Sequence, residues 1–182
     1  MSKKIVAIVG MCGSGKSVAT DILVGRGWGK VYFGGITMDK LKEEGLEITP
    51  DNEKYMRERL RKDYGMAAFA LLSLPKIREL ASNNDTVLDG LYSWDELKVL
   101  KEEFGDNLTV IAIVVDREVR YSRLAKREIR ALTREEAIKR DKAEIENSAK
   151  GGPIAMADYY IFNNADVDVY EARLNEVLSL IN

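Results

Sequence analysis

The chain has 182 residues, 46% of them hydrophobic and 32% charged, with a formal net charge of −2; this predicts one globular domain with a continuous core and excludes a disordered or fibrous chain. It has no histidine and a single cysteine, Cys12, which excludes imidazole acid–base chemistry, an internal disulfide and a zinc cluster. No apolar run approaches the roughly 18 residues that cross a bilayer, and MSKKIVAIVG holds too few apolar residues for a signal peptide, so a cytoplasmic protein with no membrane partner is expected.

Five short β-branched runs, at 4–9, 30–33, 86–88, 108–115 and 159–162, alternate with helical patterns. IVAIV at 5–9 and IAIVV at 111–115 are apolar at every position, as strands covered on both faces of a parallel sheet must be. Helices are expected at 16–25, 36–45, 51–81 (one long helix), 94–104, 117–129, 134–149 and 169–181. Gly105-Asp106-Asn107 and Gly151-Gly152-Pro153 read as helix ends. Thr133 with Glu136 reads as a capping box. The alternation implies right-handed crossovers and a doubly wound α/β domain spanning 1–182.

Between the first strand and the first helix the chain reads Gly10-Met11-Cys12-Gly13-Ser14-Gly15-Lys16-Ser17, the full G-x-x-x-x-G-K-[ST] pattern of a phosphate-binding loop. The chain must leave a strand, wrap a tetrahedral anion with successive backbone N–H groups, and enter a helix whose N-terminus faces that anion. Side chains at Gly10, Gly13 and Gly15 would obstruct the wrap. Lys16 is expected on the β- and γ-phosphates and the Ser17 hydroxyl on Mg²⁺; Met11, Cys12, Ser14 and Val18 complete the wrapping stretch, Cys12 as a small filler. The third strand runs into Asp89 and Gly90, where such proteins complete the metal shell with an acid, although an aspartate before glycine also suits an ordinary turn.

Residues 117–142 carry ten Lys or Arg against five acids, leaving −7 on the rest. That distribution suits a local anionic ligand better than nucleic acid, which favours a wider basic surface. Arg120, Arg123, Arg127 and Arg130 recur at helical spacing and are expected to share one face turned toward an anion. Arg140 can join them from the next helix, making a cationic flap that excludes water from a phosphoryl transfer.

Taken together, these residues resemble the nucleoside-monophosphate-kinase-like group of P-loop phosphotransferases, near dephospho-CoA kinase and adenylate kinase and nearest to an adenylate-kinase-related, dephospho-CoA-kinase-like prokaryotic family. GMCGSGKS, VLDG at 87–90, RYSRLAKRE at 120–128, Arg140-Asp141 and ADYYIFNN at 157–164 carry the resemblance over nearly the whole chain. It implies a three-layer P-loop fold with a parallel sheet of order 2-3-1-4-5, an acceptor-binding insertion at about 34–85 and a short zinc-free lid at about 117–150. It also implies ATP and Mg²⁺ as cofactors, Lys16, Asp89, Arg123, Arg127 and Arg140 as catalytic groups, and Asn163 and Asn164 beside adenine. Two arginines such kinases use for an acceptor's phosphate are replaced, at 34–39 by Gly-Gly-Ile-Thr-Met-Asp and after Gly90 by Leu91-Tyr92-Ser93-Trp94. Arg57 and Arg61 are the expected substitutes, and Tyr92 and Trp94 either stack on a flat acceptor or belong to the core. The expected function is phosphoryl transfer to a nucleotide-like acceptor, a nucleoside or deoxynucleoside monophosphate first, with the hydroxyl of a dephospho-CoA-like acceptor next and a slow ATP-binding switch as the distinct alternative.

Overall fold

The structure, a computed structural model, describes residues 3–181; residues 1, 2 and 182 of the expected domain lie outside the described residues. In chain order the elements are β1 (Ile5–Val9), α1 (Lys16–Gly25), β2 (Gly29–Tyr32), α2 (Gly35–Glu43), α3 (Pro50–Tyr64), α4 (Ala68–Ala81), β3 (Thr86–Asp89), α5 (Trp94–Phe104), β4 (Leu108–Val114), α6 (Arg117–Ala125), α7 (Arg134–Glu146), α8 (Gly151–Ala155), β5 (Tyr159–Phe162) and α9 (Val167–Leu180). Among the described residues the strands form one parallel sheet of order β2-β3-β1-β4-β5, the order expected.

The period-two geometry of a strand divides the core into two layers. Ile5, Ala7 and Val9 of β1 face a cluster built with Leu41 of α2, Met56 and Leu60 of α3, Phe69 and Ile77 of α4, and Leu97 and Leu100 of α5. Val6 and Ile8 face the other way, against Ala19 and Leu23 of α1 and Tyr170 and Leu174 of α9. Both faces of β1 are therefore dry, which is why every one of its residues is apolar. A third, small cluster of Tyr121, Leu124 and Ala137 joins α6 to α7, with Cys12 packed on it. Register then fixes the site: Ile8 lies opposite Asp89 of β3 and Ile111 of β4, so the end of β1 opens beside the acid that ends β3.

Several boundaries follow from end chemistry. Thr49 accepts from the Asn52 N–H at 3.2 Å and Pro50 opens α3, the arrangement that suits proline's missing donor. Both capping boxes close: Ser93 with Glu96 on α5, and Thr133 with Glu136 on α7, as expected. The single helix expected at 51–81 is instead two, because Gly65 at φ +79° ends α3 and the chain turns before α4. Residues 151–153, expected as a helix end, open the short α8; a proline in a first turn lacks only a donor the helix does not use. The helix expected at 117–129 stops at Ala125.

Candidate phosphate site and adjoining cleft

The loop from β1 to α1 holds the backbone shape that its glycines allow. Gly10, Gly13 and Gly15 have φ of +147°, +83° and +93°, where side chains are strained. A Cβ on Gly10 would stand 2.6 Å from the Ile113 carbonyl oxygen, and one on Gly15 2.5 Å from Asn163 Nδ2. No side chain caps α1, so its first N–H groups are left for an anion. Lys16 Nζ donates to the Gly10 and Met11 carbonyls at 2.8 and 2.9 Å. Burial, reinforced by the charge of Lys150, brings the Lys16 ammonium down to a pKa of about 7, against the pull of Glu144, Cys12 and Asp89. An uncapped helix, a glycine cradle and a lysine in search of an anion fit a nucleotide's phosphates. The Ser17 hydroxyl, exposed on α1, and the Asp89 carboxylate are the hard oxygen donors that suit Mg²⁺.

Two residues brace the loop from below. Buried Asn163 donates from Nδ2 to the Ser14 carbonyl at 2.9 Å, and the Tyr170 hydroxyl donates to the Gly15 carbonyl at 3.1 Å. Asn163, expected beside adenine, thus sits beneath the loop, while Asn164 accepts from the Asp116 N–H at 2.9 Å at the top of β4. Val18, on α1, packs against the core. Asp89 pairs with Lys30 at 3.0 Å, a partner that the sequence pattern does not flag.

The four-arginine face does not exist as one surface, because α6 ends before two of its members. Arg120 turns into the protein, donating to both Asp141 oxygens at 2.9 and 2.6 Å and to the Cys12 carbonyl at 2.9 Å. Arg123 reaches the Ala165 carbonyl at 3.3 Å, and Arg127 is exposed past the helix end. Arg130, at φ +57°, bends back toward a cleft that none of the other three lines. The helical period extrapolated past Ala125 produced the false stripe; Asp141, which neutralises Arg120, is 21 residues away.

Glu144 is the residue that sequence reasoning missed altogether. Its Oε2 accepts from the Cys12 N–H at 3.2 Å and lies 2.8 Å from Lys150 Nζ, while Oε1 accepts from Arg140 Nε at 3.2 Å. Burial alone would raise the carboxyl's pKa, but Lys150 and Arg140 hold it below the usual range. Lys150 is 2% exposed, with its ammonium 4.8 Å from the centre of the Tyr92 ring. The one legible hint was the spacing of Glu144 one helical turn beyond Arg140.

From this point a cleft of about 670 Å³ opens between helices α2 and α3 on one side and α7 on the other. Lys54, Arg57, Arg61, Arg130, Arg140 and Lys150 supply its positive charge, and Tyr32 and Tyr92 its flat walls. Arg57 is tethered to Glu53 at 3.3 Å; Arg61 lies over the Phe69 ring, and its Nε is buried without a partner. A Cβ on Gly34 would strike the Tyr32 ring at 2.4 Å, so glycine at this position is what leaves room for the Tyr32 ring. Trp94, expected beside Tyr92, is not in the cleft: it packs on the backbone of Gly152, where a Cβ would meet it at 3.0 Å.

Glu96 sets the turn that carries Tyr92. Its Oε2 accepts from the Tyr92 and Ser93 N–H groups at 2.7 and 3.0 Å, while Oε1 has no partner. Burial outweighs those bonds and raises the carboxyl to a pKa of about 7. The folded state then binds the proton more tightly than the unfolded chain, so stability is greatest below about pH 4.5 and falls until about pH 7, by up to about 3 kcal/mol. Glu96→Gln keeps the acceptor and removes the charge. Its melting temperature should exceed the wild type's by several degrees at pH 8 and match it at pH 4.5, whereas parallel melting curves across that range would refute this account.

Comparison with known proteins agrees with this geometry. Residues 6–147 match the AAA domain family. The UPF0200 protein of Thermococcus onnurineus (strain NA1) is 33% identical over 181 residues, covering 97% of each chain. Among solved structures, shikimate kinase from Bacteroides thetaiotaomicron superposes with a TM-score of 0.60 at 14% identity over 97% of each chain. Dephospho-CoA kinase from Campylobacter jejuni does so with a TM-score of 0.57 at 16% identity, over 100% of this chain and 99% of that one. At such identities the likeness is one of fold, and the fold is that of the P-loop kinases.

Proposed function

The chain belongs to the UPF0200 family and carries an AAA domain, and from that premise we propose that it is an ATP- and Mg²⁺-dependent phosphotransferase acting on a small, nucleotide-like acceptor. The observation that carries the reading is that Glu144, which lines the cationic, tyrosine-walled cleft, accepts from the Cys12 N–H of the glycine cradle, so cradle and cleft adjoin. A nucleoside or deoxynucleoside monophosphate suits that cleft best. Tyr32 and Tyr92 offer π-faces to a base, and Arg57, Arg61 and Arg130 offer donors to a phosphate.

In this reading Gly13, Gly15 and Lys16 hold the donor's phosphates, and Arg140 lies where negative charge develops. Arg127 joins it only through a rearrangement of the segment after α6, and Arg123 only by leaving the Ala165 carbonyl. Mg²⁺ would supply charge neutralisation and orientation of the phosphates, held by Ser17 and Asp89. The acceptor oxygen bonds to the γ-phosphorus as the bond to the β-phosphate's bridging oxygen breaks, and ADP departs with that electron pair. A phosphate acceptor needs no base; a hydroxyl acceptor would give its proton to Asp89.

The reading is tested by ADP formation from ATP and Mg²⁺ with each ribo- and deoxynucleoside monophosphate, with dephospho-CoA and with no acceptor. Rates at least tenfold over the acceptor-free rate with one class of monophosphate are expected. A slow rate that is equal in every tube would instead indicate a nucleotide-binding switch.

A further inference from the structure

We propose that Glu144 occupies, in the nucleotide-free protein, the place of a nucleoside triphosphate's γ-phosphoryl group, and that the Cys12 N–H, Lys150 and Arg140 pass from the carboxylate to that group when the triphosphate binds. This rests on the nucleotide-binding reading above and adds Lys150 to the phosphoryl-binding residues.

Three donors converge on this one carboxylate: a backbone N–H of the phosphate loop, an ammonium and a guanidinium, at 3.2, 2.8 and 3.2 Å. That donor set matches what a phosphoryl group receives in phosphate-binding sites. Lys150 is built for it. A lysine almost never lies this deeply buried without a partner, and Glu144 is the partner it has here. Ala149, just before it, sits at φ +49°, a strained conformation for a residue with a side chain, and Gly151, Gly152 and Pro153 follow. The segment therefore aims one ammonium at the mouth of the loop, over Tyr92 and near enough to Lys16 to disfavour its charge.

Two lysines and an arginine gathered at one phosphate position repel one another unless an anion lies among them. Glu144 offsets that repulsion until a ligand arrives. A γ-phosphoryl group and the carboxylate cannot share these donors, since both are anionic and both need them. Entry of the triphosphate therefore expels Glu144, and because Glu144 rides on α7 the exchange couples nucleotide binding to the lid. A diphosphate ends before this position and leaves Glu144 in place.

The experiment compares Mg²⁺-dependent binding of ADP and of the β,γ-imido analogue of ATP by calorimetry, in wild type, Glu144→Gln and the double variant Glu144→Gln/Lys150→Met. Glu144→Gln should bind the imido analogue about tenfold tighter, as expected when a charged competitor is neutralised, with the Kd for ADP within about twofold. The double variant should lose that gain and still bind ADP. Equal shifts for both nucleotides, or none for either, in Glu144→Gln would overturn the proposal and leave the nucleotide reading intact, since a purely structural pair does not distinguish two phosphates from three. Failure of wild type to bind either nucleotide would overturn both.

Discussion

Lys16→Ala should lower acceptor-dependent ADP formation by about 10³-fold, the scale on which a single preorganised charge at a transferring group acts. Lys16 ends the cradle, and its Nζ already lies at the mouth, 2.8 and 2.9 Å from the two carbonyls it holds. No neighbour can replace it. Arg120 is committed to Asp141 and Lys30 to Asp89, and Lys150, which passes from Glu144 to the γ-phosphoryl group in the exchange proposed above, already has its own place there. Lys16→Arg should fare little better, because a planar fork does not fit where a compact ammonium bonds two carbonyls at once. The same Lys16→Ala variant should melt at the wild-type temperature or above it, since it removes an ammonium that burial and Lys150 both disfavour. Activity assays and thermal melts on one preparation check both halves. A variant retaining more than about a tenth of wild-type turnover would remove Lys16 from the chemistry.

Asp141→Ala should destabilise the protein by about 3–5 kcal/mol, the cost of stranding one partner of a buried ion pair, and lower the melting temperature by about 10 °C. Asp141 receives both Arg120 nitrogens and the Tyr121 hydroxyl, the last at 3.0 Å, and the Arg120 side chain is only 8% exposed. Burial would lower the guanidinium's pKa; Asp141 outweighs it and raises it. Because Arg120 also donates to the Cys12 carbonyl, the pair ties α6 and α7 to the phosphate loop, and nucleotide affinity should fall with stability. The double variant Arg120→Met/Asp141→Leu should recover most of the lost stability, because replacing a whole buried pair by apolar groups is nearly neutral, but should not recover nucleotide affinity. Full recovery of both would show that the tie to Cys12 has no part in shaping the loop.

Lys16 and Arg120 mark what sequence reasoning places and what it misplaces. The position of Lys16 was legible because it is set by local geometry: a strand, a glycine wrap and a helix N-terminus occupy one continuous stretch, and each needs its own residue types. Arg120 was misread because its side chain's direction depends on an acid 21 residues on, on another helix. The place of Trp94, left open by the sequence, was settled for a similar reason, since its ring packs on the α8 backbone at Gly152 and not beside Tyr92. The single helix expected over 51–81 failed for a local reason, the positive φ at Gly65, which helical periodicity alone does not register.

The sequence by itself determined the parallel sheet and the cradle, and the family resemblance supplied the strand order. Consecutive apolar strands demand cover on both faces, crossover handedness limits the topology, and the loop's glycines are required by backbone shape alone. Tertiary structure alone decided which charges meet. Glu144, Lys150 and the Cys12 N–H are brought together only when α7 packs over the loop; Asn163 and Tyr170 become braces only when β5 and α9 close beneath it. Backbone conformation is a short-range property written in neighbouring residues, whereas the pairing of buried charges is fixed by distances across the fold that no sequence spacing encodes.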